Sequence, residues 1–263
     1  MASSLNYRLT IQLALDGFSY AFFDIVYNRL IAWDSYHHDP FTNYDDLFLA
    51  IEKAINAKEL NEKNPSVTLI IDGHTNVLVP ETVYSPDDNN KLLEFNFNTA
   101  NDLIAIADPI TKHKIVNVLG LPQALQAKIG SIWPEAKITH SSSLFLENLP
   151  ESEDAVVYVN VKSHNYDLAI MKDRLLFFNN FQFNDKNDFA YFLLNALEQN
   201  KLSGSNTTVC FSGQILPSSE MIGLCRHYVK DIQFVEKPKT LLVDSTFAEI
   251  PYQYYLIHYQ AIK

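Results

Sequence analysis

Two apolar runs end in polar groups that could hold a ligand. Thr68-Leu69-Ile70-Ile71-Asp72-Gly73 leads into His74-Thr75, and Thr208-Val209-Cys210-Phe211-Ser212-Gly213 leads into Gln214. In α/β sheets, ligands gather at the carboxyl ends of parallel strands. Asp72 and Gly73 are therefore the first pocket candidates, with Ser212 and Gly213 as their counterparts. Ordinary strand-to-helix turns account for both pairs as well. His37-His38-Asp39 offers metal-ligating or acid–base side chains, but neighbours on extended chain point opposite ways. That run reads as a solvated loop. Asp16-Gly17, between two alternating stretches, has the composition of a hairpin turn.

Other chemistries leave no mark. The two cysteines, Cys210 and Cys225, fall in a buried-type strand and the helix after it, where free thiols behave as small apolar groups. CxxC pairs, GxSxG, GxxxxGK[ST] and GxGxxG are all missing, and no metal site is expected. Glycine is scarce, 7 in 263 residues, less than half the usual frequency of about 7%. Loops that wrap phosphates rely on glycine for close backbone approach, so few such loops can be built here.

The elements that must position these groups are written twice. Leu9 to Tyr36 reads as a meander of three strands, Leu9–Leu15, Tyr20–Tyr27 and Leu30–Tyr36, from its alternating apolar residues. Asp16-Gly17 and Asn28-Arg29 mark the turns. Val157 to Phe181 repeats it: Leu9, Ile11 and Leu13 match Val157, Val159 and Val161 at an offset of 148, and Asn28-Arg29 match Asp173-Arg174 at 145. A helix follows in each half, Asp45 to Ala57 and Asn187 to Gln199. Leu47, Ile51 and Ala54 stand over Phe189, Leu193 and Ala196 at 142. The strands ending in Asp72-Gly73 and Ser212-Gly213 then correspond at 140. The drift falls in turns, where deletions are tolerated.

Between the copies, Asn76 to Val83 is expected as a loop around Pro80, and Ser85-Pro86-Asp87-Asp88 as a helix start. Leu103–Ala107 and Lys114–Leu119 alternate as strands. Leu121-Pro122 opens a helix, Lys137–His140 is a short strand, and Ser141–Leu149 a helix. After Gly213, a helix starts at Pro217-Ser218-Ser219-Glu220 and a strand lies at Ile232–Val235. Tyr252–Ile262 reads as a helix begun by Pro251 or, with its many tyrosines, as a strand. The polar run Pro150-Glu151-Ser152-Glu153-Asp154 sets the boundary between residues 1–150 and 151–263.

With 31 acidic and 20 basic residues, the net charge of −11 argues against a nucleic-acid partner, whose phosphates are bound by Lys and Arg. No stretch reaches the ~18 apolar residues of a membrane span, and the first residues lack the apolar region of a signal peptide. A cytoplasmic protein is expected.

Three antiparallel strands followed by helix, parallel strand, helix and strand (βββαβαβ) make the ribonuclease-H-like unit. Two in tandem resemble the actin-like ATPase superfamily: actin, heat-shock chaperone ATPases, sugar kinases, and bacterial cell-division and pilus-assembly relatives. In its shortness and its IPYQYYLIHY ending, the chain looks like an uncharacterised bacterial family of unknown function grouped with them. The resemblance implies an α/β fold of two tandem ribonuclease-H-like subdomains. In nucleotide-binding members the first strand of each meander ends in an Asp that organises Mg²⁺, with a Gly two residues on that lies against the phosphates. Carried over, the Asp positions fall on Gln12 and Asn160 and the Gly positions on Ala14 and Lys162. A Gly-Gly adenosine motif falls on Ser212-Gly213-Gln214-Ile215-Leu216-Pro217, with one Gly left. An amide lacks the charge that a hard divalent cation requires.

Three functions follow from the resemblance. The first and preferred is a degenerate, non-catalytic protein of the actin-like ATPase fold that binds another protein, with no cofactor and with Gln12, Asn160, Asp72, Gly73, Ser212 and Gly213 as cleft residues. The second is a nucleotide-dependent ATPase or small-molecule kinase, using ATP and Mg²⁺ and taking its acid from Asp16 or Asp72. The third, a nuclease, needs a cluster of acids for two metals and ranks last.

Overall fold

β1 (Tyr7–Ala14), β2 (Gly17–Asp24) and β3 (Arg29–His37) form the first meander in a computed structural model that describes residues 6–14, 16–37, 44–73, 75–97 and 102–263. Ala14 pairs with Gly17 across the first hairpin, so Asp16-Gly17 does close a turn. A Cβ on Gly17 would run into the Tyr36 carbonyl, and its φ of +152° suits only glycine. β2 lies three residues earlier than its alternation suggested. The cause is that both faces of β2 are covered, Phe22 packing on Tyr7 and Phe23 on Tyr259, so both rings are buried and apolar residues do not alternate along the strand. The Asp24 carboxylate then accepts from the backbone N–H groups of Val26 and Tyr27, turning the chain at residues expected to be strand.

α1 (Tyr44–Asn56) lays Leu47, Phe48, Ile51, Ala54 and Ile55 into the core. β4 (Ser66–Asp72) runs parallel to β1, setting Gln12 opposite Ile70 and Ala14 opposite Asp72. Next come β5 (Asn76–Pro80), α2 (Asn89–Asn96), β6 (Leu103–Ile110), β7 (Ile115–Pro122), α3 (Gln123–Ile132), β8 (Lys137–His140) and α4 (Ser141–Glu147). β5 replaces the loop expected around Pro80: it is the edge strand of the sheet β5-β7-β6, a place where proline is tolerated. Ser85 makes no side-chain cap, and Pro86–Asp88 is a 3-10 turn that precedes α2. The larger sheet runs Leu242–Val243, β3, β2, β1, β4, β8.

In the second unit β9 (Val156–Val161), β10 (Asn165–Lys172), β11 (Arg174–Gln182), α5 (Lys186–Gln199), β12 (Thr208–Gly213), α6 (Glu220–Cys225) and β13 (Asp231–Phe234) build the sheet β11-β10-β9-β12-β13 with two helices. Asp185 caps α5, its carboxylate accepting from the N–H groups of Asn187 and Asp188. The core centres on Tyr166, Phe189 and Phe211. The Tyr166 hydroxyl donates to the Phe189 carbonyl at 3.1 Å, and the two rings lie 4.7 Å apart.

The ladders correct one correspondence between the halves. The first hairpins match at the offset of 148, Leu13 opposite Phe18 and Val161 opposite Tyr166. Yet Gln12 faces Ile70 on β4, whereas Asn160 faces Ser212 on β12. Position 70 therefore corresponds to 212, an offset of 142, and Asp72 corresponds to Gln214. A slip of two residues keeps every side chain on its own face of the sheet, which is why the similar runs ending in Asp72-Gly73 and Ser212-Gly213 align so plausibly two residues out of register.

Contacts gather Met1–Glu147, Lys239–Glu249 and His258–Lys263 into one unit and Asn148–Pro238 with Ile250–Ile257 into the other. The expected span 151–263 is thus not one continuous unit. Leu242–Val243 pairs in parallel with β3, braced by Arg29 and Asp244 at 2.9 Å, and this edge strand was too short to read from its pattern. The aromatic ending is helical, a 3-10 turn at Tyr252–Tyr254 and a helix at Leu256–Gln260.

Replacing Phe189 by Ala removes the ring on which Tyr166, Phe183 and Phe211 pack. It should cost about 3–5 kcal/mol, read from the shift in urea midpoint.

Candidate functional site

At the carboxyl ends of β1 and β4, Gln12 and Asp72 come together. The Gln12 amide donates to Asp72 Oδ2 at 3.1 Å, and the Ser141 hydroxyl, at the start of α4, donates to Oδ1 at 2.8 Å. Behind Gln12 stands Ser19 on β2, the residue opposite it in the ladder, with its hydroxyl 3.4 Å from Gln12 Oε1. Ser19 in turn lies 2.9 Å from His258 Nε2, and His258 Nδ1 lies 2.9 Å from the Thr10 hydroxyl. The Thr10 hydroxyl also donates to the Ala21 carbonyl at 3.2 Å, so the direction of the bonds through His258 is set by which ring nitrogen carries the proton, while Gln12 donates to Asp72 in either case. His258 is fully buried, and burial pushes its pKa down to about 3. The imidazole is neutral at ordinary pH.

Gly73 is fixed by a separate set. His140 Nδ1 accepts from the Ser142 N–H at 3.1 Å, which leaves the proton on Nε2 to be donated to the Gly73 carbonyl at 3.0 Å. The buried Asp108 carboxylate accepts from the Thr139 hydroxyl and the His140 N–H. Between these groups and the apolar faces of α1, β7 and α3 lies a cavity of about 260 Å³ that Asp72, Gly73 and His140 border.

In the second unit Asn160, Ser212 and Gly213 also meet. The Ser212 hydroxyl lies 3.2 Å from Asn160 Oδ1, and Gly213 has φ +83°, where any Cβ would strike the Val161 carbonyl. Lys162 forms a buried ion pair with Asp167 at 3.0 Å, the two side chains 8% and 0% exposed. Asn180 donates to the same carboxylate at 2.8 Å.

Sequence reasoning named Gln12, Asn160, Asp72, Gly73, Ser212 and Gly213 together as candidates for one cleft; the structure brings Gln12 to Asp72 and Asn160 to Ser212. It missed Thr10, Ser19, Ser141 and His258. The only sequence signal for them is parity: Thr10 and Gln12 share one face of β1, and a lone histidine sits in the aromatic ending. His38, Asp39 and His74 lie outside the described residues, and His37 ends β3 exposed.

The Ser19–His258 pair resembles part of a hydrolytic triad, but its chemistry is wrong. A ring held neutral down to about pH 3 is a poor general base, and the third member is a hydroxyl that cannot stabilise an imidazolium as a carboxylate does. Burial raises the thiols of Cys210 and Cys225 to about 11, which keeps them protonated and unreactive. Among the described residues no three His, Cys, Asp or Glu side chains converge as metal ligands would. No described helix is long and apolar enough to cross a membrane.

A family described as protein of unknown function (DUF3822) matches residues 1–232. No curated protein matches the chain. Among solved structures it is similar to a protein of Bacteroides thetaiotaomicron VPI-5482 with actin-like ATPase fold and unknown function, at 16% identity over 88% of this chain and 91% of that one, TM-score 0.72. It is also similar to a chain of the PilM–PilN type IV pilus biogenesis complex, at 11% identity over 97% and 94%, TM-score 0.56. The fold is thus α/β in two tandem subdomains, the actin-like ATPase fold that the sequence resemblance implied.

Two outcomes test the network. An unfolded chain protonates His258 near pH 6.5 while the folded chain resists until about pH 3. Its contribution is therefore complete above pH 6.5 and lost as pH falls, by about 2 kcal/mol at pH 5. Urea titrations at pH 7.5 and 5 should show that loss reduced in His258→Asn. Gln12→Asp sets a second carboxylate against Asp72. It should destabilise by about 1–3 kcal/mol at pH 7, and the deficit should shrink toward pH 4 as the pair takes up a proton.

Proposed function

We propose that this chain, which belongs to the DUF3822 family, is a non-catalytic protein of the actin-like ATPase fold that works by binding another protein, as a scaffold or partner-binding module. The observation that carries this reading is Gln12. Where nucleotide-binding relatives place a carboxylate for Mg²⁺, this chain has an amide, and that amide is already bonded to Asp72 and Ser19. Asn160, at the matching position, is likewise held by Ser212.

The donor set does not fit a magnesium–nucleotide. Asp72 is the carboxylate beside the first position, and both of its oxygens accept bonds from neutral donors, Gln12 and Ser141. Among the described residues, no lysine or arginine lines the cavity that Asp72 borders, so none of these would neutralise a phosphate set beside that carboxylate. At the second glycine position stands Lys162, whose ammonium is committed to buried Asp167. Separating such a pair costs about 3–5 kcal/mol.

The PilM–PilN complex supports the protein-binding part, since there a chain of the same fold sits in an assembly with another protein. The net charge of −11 supports a partner other than nucleic acid, and a cytoplasmic setting is the simplest one for this reading. A nucleotide-dependent ATPase or kinase is the competing function, and Asp72 is the acid it would use.

Thermal-shift titration separates the two. A nucleotide at ~100 times its dissociation constant stabilises a fold by ~2.7 kcal/mol. The expected result is an unchanged unfolding temperature with millimolar ATP, ADP or GTP, with or without Mg²⁺. A magnesium-dependent rise with any of them would overturn the non-catalytic reading.

A further inference from the structure

We propose that the outer edge of β11 takes up an extended segment of a partner protein, lying parallel to it and reading aliphatic, aliphatic, acid. β11 ends the second unit's sheet, and among the described residues no strand pairs with its outer side. Such an edge offers a row of backbone N–H and C=O groups to another chain. Proline and lysine, which blunt edge strands elsewhere, are missing from its run RLLFFNNFQ, and Arg174 is its one charged side chain. Leu176 is 47% exposed. Half-buried Phe177 and Phe181 stack on each other, and Phe181 stacks on Phe192, an apolar row along the same strand.

The first unit shows what fills an edge of this kind. Its β3 corresponds to β11 at the offset of 145. Asn28 and Asp173 both turn the hairpin at positive φ, Arg29 pairs with Asp24 as Arg174 pairs with Lys172, and Ile31 and Leu176 are the unpaired bulge residues. On β3 the chain's own Leu242-Val243 pairs in parallel with Arg29-Leu30 and goes no further than the bulge. The Leu242 N–H donates to the Asn28 carbonyl at 2.9 Å, and Asp244 meets Arg29 at 2.9 Å. On β11 the matching residues Arg174-Leu175 carry no such strand. Arg174 is exposed and has no ion pair among the described residues. An acid placed as Asp244 is on β3 would complete it. One difference narrows the partner further: the Asn28 amide donates to the Thr240 carbonyl at 2.8 Å. Asp173 in its place accepts rather than donates, so a segment with a hydroxyl or ammonium donor there fits better. This surface deepens the partner-binding reading and rests on it.

The test titrates the full chain into a fluorescein-labelled peptide of its own Lys239–Ser245 sequence, KTLLVDS, and follows anisotropy. Saturable binding is expected. It should weaken about fivefold or more with Arg174→Glu in the protein or Asp244→Lys in the peptide, and return when the two changes are combined. Arg29→Glu should not weaken it, because β3 already carries its strand. A peptide N-methylated at Leu242 keeps its charge but cannot donate to the edge, and should not bind. An unchanged unfolding temperature in Arg174→Glu shows that this exposed change leaves the fold intact. The inference is overturned if the parent peptide does not bind, if Arg174→Glu leaves its binding unchanged, or if the N-methylated peptide binds as well. Self-association of the full chain in sedimentation that vanishes in Arg174→Glu would overturn the partner protein as occupant and give the edge to a second copy. Failure of the peptide without any nucleotide response strikes this edge alone, whereas a magnesium-dependent nucleotide response strikes the partner-binding reading beneath it.

Discussion

The bond from Gln12 to Asp72 is the constraint on which the first unit's site depends. It joins two parallel strands at the end of a sheet whose neighbouring faces are hydrocarbon, and it does so with one neutral and one ionisable group. A buried or half-buried polar chain is an all-or-none device: fully satisfied it rigidifies, partly satisfied it costs more than an apolar core would. Here satisfaction extends from Thr10 through His258, Ser19 and Gln12 to Asp72 and Ser141, drawing on three strands and two helices. The site is therefore as much a fastening for the last turn of chain as it is a place for chemistry. His258 belongs to the first unit because its two ring nitrogens are bonded there.

The same logic accounts for the second unit by a different route. Asn160 and Ser212 meet as neutral partners, and the charge nearby is internal, Lys162 against Asp167 with Asn180 as the further donor. In both units these side chains complete one another, through amides and hydroxyls.

Much of this was legible in the chain. Period-two alternation located the strands of both meanders, and the apolar faces of α1 and α5 followed from three- and four-residue spacing. What was not legible has physical causes. Phe22 and Phe23 are buried on opposite faces of β2, which removes the alternation used to read that strand. The two-residue slip between β4 and β12 preserves side-chain parity, so pattern matching cannot detect it; only the ladder hydrogen bonds can. A strand as short as Leu242–Val243 is defined by its partner β3 rather than by its own composition. His258 is 239 residues from Ser19 and 248 from Thr10, and no local rule reaches that far.

These failures share a direction that bears on function. Four of the features missed in the first unit, Thr10, Ser19, Ser141 and His258, add internal bonding that leads to Asp72. The resemblance to nucleotide-binding proteins marks Gln12 only as an amide where an Asp is expected. The fold adds that this amide lies within a hydrogen-bonded chain from Thr10 to Asp72. Relaxed selection would be expected to leave unpaired donors or a collapsed cavity in such a place. The hydrogen bonds that run from Thr10 through His258, Ser19 and Gln12 to Asp72 show neither sign beside the cavity that Asp72 borders.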